Sequence, residues 1–205
     1  MLHVISDAER GENQCLLDQM YSLRAKQFQS RRSWQVCVTN GMEIDQFDAI
    51  GATYVIVSDG RERLLASLRI LPTIGQHMLA DVFPDIMGSE SIIRHPLIWE
   101  SSRFCVDTDR CRAYSANGVN MATKELLHGL FRTALDAGLI NIVSVYDVFV
   151  ERILRRAGCK FDRLGRVVTY DMGLRTTAGL FEVSPSVVND LAHSALSKTA
   201  KDIAA

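Results

Sequence analysis

The sequence predicts an α/β fold: a mixed sheet flanked by helices in one layered architecture. Strand-like segments cluster in the first half, and helix, strand, helix and further strands follow. The 205 residues are 47% hydrophobic and 23% charged, both ordinary for a globular protein. No internal repeat or low-complexity tract appears, and this length favours one domain covering residues 1–205.

Leu2–Ile5 reads as a first strand. Residues 13–28 read as an amphipathic helix. Leu16, Met20 and Leu23 form one apolar row, and Leu17, Tyr21, Arg24 and Phe28 the next. Arg24 therefore either snorkels its head to water or aims it into a pocket. Residues 29–50 show no clear period and read as a mobile loop that covers a ligand. Trp34 suits such a cover, or a packing staple. Glu43, Asp45 and Asp48 either receive a cation or form a solvated run.

Residues 54–57 and 64–71 read as an antiparallel hairpin turned by Ser58, Asp59 and Gly60. Arg69 stands among Leu68, Ile70 and Leu71, and Pro72 ends that strand. Residues 77–83 form a short helix or turn, and 88–96 a loop.

Residues 98–106 read as the central strand, yet Glu100 and Arg103 lie in its middle. Charged residues are rarely fully buried unless paired. The strand is thus either a solvent-facing edge or the wall of a polar pocket. Alternation puts Glu100, Ser102 and Phe104 on one face and Trp99, Arg103 and Cys105 on the other. A β-bulge would change the phase and bring Glu100 and Arg103 to one pocket.

Residues 107–120 read as a polar loop. Residues 121–137 form the clearest helix, with Leu127, Leu130, Phe131 and Ala134 inward and Gly138 as its cap. Residues 140–145 are a buried, β-branched strand. A helix over 148–157 is stopped by Gly158 and shows Arg152, Arg155 and Arg156 outward. Strand-like segments follow at 159–164, 167–172 and 180–183. Ser184 caps a last helix with Pro185 at its first position, and 197–205 read as a frayed tail.

A net charge of −1 supplies no global field for nucleic acid or an anionic membrane. Cys15, Cys37, Cys105, Cys111 and Cys159 are odd in number and lack a CxxC, so they indicate neither a disulfide framework nor a zinc site. The five histidines show no metal-ligand spacing. Acidic residues precede any long apolar run and no segment is long enough to span a bilayer, so a cytoplasmic location is the default.

There is no Walker loop, no GxGxxG after a strand and no GxSxG elbow. The charged residues Arg24, Asp45, Asp48, Arg69, Glu100 and Arg103 stand out instead. Mixed charges in a cleft bind a zwitterion, arginines hold its carboxylate, and a desolvated Glu100 accepts a proton from its amine.

Two blocks carry a family resemblance. The first is Leu23-Arg24-Ala25-Lys26-Gln27-Phe28, followed by Trp34 and by Glu43-Ile44-Asp45-Gln46-Phe47-Asp48. The second is Arg69-Ile70-Leu71-Pro72, Met78-Leu79-Ala80-Asp81-Val82-Phe83 and Trp99-Glu100-Ser101-Ser102-Arg103-Phe104-Cys105-Val106. Over residues 2–180 the sequence resembles the acyl-homoserine-lactone synthases, the autoinducer synthases of Gram-negative bacteria. The resemblance implies a three-layer α/β sandwich related to the N-acetyltransferases, its sheet opened by a V-shaped cleft. It implies transfer of an acyl chain from acyl carrier protein to the amine of S-adenosylmethionine (SAM), then lactonisation with loss of 5′-methylthioadenosine. SAM is a substrate, so neither cofactor nor metal is implied, and the protein is a monomer or weak dimer.

By the same resemblance, Glu100 acts as base with Arg69, Ser102 and Arg103 around it. Arg24, Phe28, Trp34, Asp45, Asp48, Phe83 and Phe104 bind SAM. Ser144, Met121 and Trp99 line the acyl pocket, where a core Ser144 bonded to backbone is the plainer alternative to a 3-oxo contact. Arg152, Arg155, Arg156 and Lys160 meet the acidic carrier, or are a solvated face. Pro96-Leu97-Ile98-Trp99-Glu100 is similar to members that use acyl-coenzyme A. The competing readings are an acetyl-coenzyme A-dependent acetyltransferase and a non-catalytic sensor. The acetyltransferase phosphate loop, Gln/Arg-x-x-Gly-x-Gly/Ala, has no counterpart in residues 107–120, where Gly118 is the one glycine.

Overall fold

β-Branched and aromatic segments pair into one seven-stranded mixed sheet in a computed structural model that describes residues 1–31, 36–111, 115–116, 119–170 and 173–196. Its strands are β1 (Leu2–Ile5), β4 (Thr53–Ser58), β5 (Leu64–Pro72), β6 (Ile98–Val106), β9 (Asn141–Asp147), β11 (Leu174–Glu182) and β10 (Phe161–Tyr170), in that spatial order. Two short hairpins lie outside the sheet, β2 (Val38–Thr39) with β3 (Met42–Glu43) and β7 (Ser115–Ala116) with β8 (Val119–Asn120). The helices are α1 (Gln14–Ala25), α2 (Met78–Asp81), α3 (Thr108–Cys111), α4 (Met121–Asp136), α5 (Val148–Ala157) and α6 (Pro185–Leu196).

Each sheet face buries its own apolar cluster, which gives three layers. On one face Leu126, Leu127, Leu130 and Phe131 of α4 pack on Leu68, Ile142 and Phe181, with Val187 and Leu191 of α6 closing that side. On the other, Leu17, Met20 and Tyr21 of α1 and Met78 and Leu79 of α2 pack on Tyr54, Ile56, Leu71 and Val143. Among the described residues no helix is long and apolar enough to cross a membrane.

Neighbouring strands are antiparallel except β6 and β9, which run parallel. Their pairing covers only Ile98 to Ser101 against Asn141 to Ser144. Beyond those residues both strands continue without pairing to each other, so the sheet parts into a V.

Two expectations need correction. The expected segments 159–164 and 167–172 are not separate: residues 171–172 lie outside the described ones, and Phe161–Tyr170 form one strand, β10, carrying a bulge between Leu164 and Val168. Gly165 makes it possible: its φ is +57°, and a Cβ there would lie 2.0 Å from the Ile86 carbonyl oxygen. The segment 180–183 is the end of a longer strand that starts at Leu174. Residues 36–50 are also less irregular than their sequence suggests. Asn40 and Gly41, at φ of +53° and +76°, turn a two-residue hairpin between Thr39 and Met42. A 3₁₀ turn over Gln46–Ala49 follows, capped by Asp45, whose carboxylate accepts from the Phe47 N–H at 2.9 Å.

Candidate active site

The site begins with an irregularity in β6. Ser67 opposes Cys105 and Arg69 opposes Ser102, so one residue of β5, Leu68, faces two of β6, Arg103 and Phe104. Arg103 absorbs the extra residue with φ +54°, a left-handed backbone that costs a non-glycine residue of order 1 kcal/mol. The slip resets the alternation. Arg103 turns to the face of Glu100, and both meet at Met78: the Arg103 Nη1 lies 3.3 Å from its sulfur, and its N–H donates to Glu100.

Around Arg103 three guanidinium groups and three carboxylates interlock. Arg24 donates to both oxygens of Asp48 at 2.9 Å and through Nε to Glu43. Arg69 donates to Asp48 at 2.8 Å, to both oxygens of Asp45, and through Nε to the Ser102 hydroxyl at 3.2 Å. Arg103 donates to Glu43 at 2.8 Å and reaches Asp45 at 2.7 Å. Arg24 is 0% exposed, whereas Asp45, at 17%, is the most open of the three acids. Burial works against ionising Asp48, but hydrogen bonds from Arg24 and the charges of Arg24 and Arg69 outweigh it. They hold that carboxyl well below the usual range.

Glu100 has a different environment. It is fully buried, and its two oxygens accept the N–H groups of Met78 and Leu79, each at 2.7 Å. Burial pushes its carboxyl up to about 7, against the opposing pull of those amides and of Arg69 and Arg103. The ordinary value is 4.5, so the folded protein keeps this proton where the unfolded chain has lost it. Stability from this group is therefore fully present below about pH 4.5 and declines until about pH 7, by about 3 kcal/mol in all. Urea unfolding at pH 4.5 and 8 is expected to show wild type losing that much relative to Glu100→Gln. Comparing the two proteins cancels His77, a buried imidazole shifted down whose contribution runs the other way. A pH-independent difference would mean that Glu100 is ionised throughout.

Where β6 and β9 part, an apolar cavity of about 90 Å³ opens beside the charged cluster, room for several waters or a chain segment. Phe28, Phe83, Ser102, Arg103, Phe104 and Ser144 all border it, and Leu130 and Phe131 of α4 close its far side. Arg103 also lies over the Phe28 ring at 5.2 Å. Glu100 is one side chain behind this wall. Two expected pocket residues do not line the cavity. Trp99 opposes Ile142 where the strands are still paired, and Met121 starts α4 beside a separate surface groove with Asp59, Arg63 and Glu125. The Ser144 hydroxyl already donates to the Ser101 carbonyl at 2.8 Å, the plainer of its two readings. Trp34 lies outside the described residues.

Comparisons with known proteins identify the family. A family model described as autoinducer synthase matches residues 7–182. The chain belongs to the autoinducer synthase family. It is 34% identical over 168 residues to the acyl-homoserine-lactone synthase of Rhizobium radiobacter, covering 82% of this chain and 79% of that one. It is 36% identical over 149 residues to the synthase of Agrobacterium fabrum, covering 73% and 71%. The fold superimposes on BjaI, a CoA-dependent acyl-homoserine lactone synthase solved with SAM and isopentyl-CoA, with a TM-score of 0.83 at 26% identity, covering 94% and 87%. LasI gives 0.77 at 29%, covering 93% of each. A putative N-acetyltransferase from Lactobacillus plantarum, at 0.54 and 16% identity over 89% and 99%, shares the fold alone. The protein is thus an acyltransferase of the acyl-homoserine-lactone synthase class.

The synthase also contains site residues to which the sequence alone assigns no settled role. Glu43 joins Arg24 to Arg103 and is 1% exposed. The Asn40-Gly41 hairpin signal is what would have placed it. Met78 and Leu79 hold Glu100 through backbone amides, for which side-chain chemistry gives no sign. The basic face of α5 divides in two. Arg155 pairs with Glu151 at 3.0 Å, and Lys160 with Asp190 at 3.2 Å. Arg152 and Arg156 are exposed and enter none of the ion pairs found among the described residues.

Proposed function

We propose that this synthase acylates the amine of SAM, with acyl carrier protein as the preferred thioester donor, and then closes the lactone. The observation that carries the reading is that zwitterion-binding groups and an apolar cleft meet at the parted end of β6. Arg24, Phe28, Asp45, Asp48, Phe83 and Phe104 form the SAM side, the acids favouring its sulfonium and amine. Trp34 is assigned as its cover. Arg69 and Arg103 hold the acids in place and offer donors to the SAM carboxylate. Glu100 accepts the amine's proton through an intervening water, because its own oxygens do not reach the cleft.

The freed amine adds to the thioester carbonyl, and the thiol leaves with a proton as the amide forms. Past Ser101 the amides of β6 that face β9 have no ladder partner there, and they suit the developing oxyanion. The carboxylate of the acylated intermediate then displaces the sulfonium, which forms the lactone and releases 5′-methylthioadenosine. The similarity to BjaI supports acyl-coenzyme A as the second reading of the donor.

The carrier assignment rests on α5. Phe149, Arg152, Ile153 and Arg156 lie at i, i+3, i+4 and i+7 on one stripe, and Phe149 is 80% exposed. An apolar and basic stripe beside the cleft fits an acidic protein helix better than a small anion. The test supplies SAM with acyl carrier proteins and acyl-coenzyme A thioesters of several lengths, with acyl-homoserine lactone read by mass spectrometry. Charge reversal at Arg152 and Arg156 is expected to raise KM for the carrier thioester about tenfold or more, with the coenzyme A thioester moving less than about twofold. A matching rise for both would mean that the helix reads phosphate. Failure of both donors to yield a lactone would remove the whole assignment.

A further inference from the structure

We infer that Tyr54 is a positioning residue: its phenol fixes the Asp48 carboxylate and so sets the two arginines that grip SAM. The inference rests on reading the charged cluster as the SAM site.

Asp48 is the junction of that cluster, since Arg24 and Arg69 both donate to it. A carboxylate shared by two guanidinium groups has several ways to divide its lone pairs. Two further donors remove the choice. The Asp45 N–H donates to the Asp48 Oδ2 at 2.8 Å, and the Tyr54 hydroxyl donates to Oδ1 at 2.8 Å.

Tyr54 is itself held firmly. It stands in β4, fully buried, opposite Arg69 in the ladder. Its hydroxyl lies 3.2 Å from that of Tyr21, and the two rings pack edge to face. Arg10 lies 5.2 Å over the Tyr54 ring while donating to the carbonyl oxygens of Asp48 and Ala52 at 2.7 and 3.0 Å. The same residues thus clamp Asp48 through both its side chain and its backbone. Tyr54 lines no part of the cleft, so its influence passes through Asp48.

Tyr54→Phe keeps the ring, its packing on Tyr21 and the Arg10 contact, and removes one charge-assisted hydrogen bond. The dissociation constant for SAM, read by calorimetry, is expected to rise about tenfold, with KM for the acyl thioester changing less than about twofold. A general packing defect would move both. In an Asp48→Asn background the same change should raise the SAM constant no more than about twofold, because the charged acceptor is gone. Effects that simply multiply, or unaltered SAM binding by Tyr54→Phe, would overturn the inference. Wild type that binds no SAM would instead overturn the reading of the cluster itself.

Discussion

Glu100→Gln is expected to lower kcat by about a hundred- to a thousand-fold, with the dissociation constant for SAM changing less than about threefold. Gln keeps one acceptor for the amides of Met78 and Leu79, so α2 stays near its place, but it takes no proton. Wild type carries a carboxyl pushed up to about 7, so its kcat/KM should climb as pH rises through that value. The variant should lack this limb. Equal losses in turnover and in binding, with the limb retained, would assign Glu100 to scaffolding of α2 instead. The magnitude follows from the proposed chemistry: an ammonium has no lone pair with which to attack, and one positioned base is worth this much.

Arg24→Met should be the most damaging substitution for stability, at about 3–5 kcal/mol and roughly 10 °C in Tm. Met fills much of the same space, so the loss comes from charge. It leaves Asp48 with Arg69, and Glu43 with Arg103, in a region closed to water. The exposed pair Arg132–Asp136 has a comparable 2.8 Å separation, yet both side chains are more than half in solvent. Arg132→Met should therefore leave Tm nearly unchanged. Thermal unfolding of the two variants side by side separates the cases. Similar Tm values would mean that water reaches the cluster.

Much of this architecture is legible in residue periodicity. The two-row helix pattern gives α1 and places Arg24 among buried neighbours, and the β-branched run gives β9. The conflict between parity and charge in β6 points to the bulge before any coordinates. What stays hidden depends on contacts between distant segments. Gly165 looks like a break in β10 because a strand bulge and a turn use the same residue. Glu43 is left between a cation-binding acid and a member of a solvated run until the Asn40-Gly41 turn folds it under Arg24. Cavity walls are hardest to read. Trp99 and Ser144 occupy adjoining strands, but only the point at which pairing stops decides which one borders the cleft.

That stopping point has a wider consequence. The molecule is two leaves, β1-β4-β5-β6 and β9-β11-β10, stitched by four residue pairs along a short seam. α4 packs on both leaves from one side, and Met78 and Leu79 of α2 join Leu71 of one leaf to Val143 of the other from the opposite side. The room for an aliphatic chain is then set by where that seam ends, with helices clamping the leaves on both sides, as well as by the bulk of the side chains in the gap.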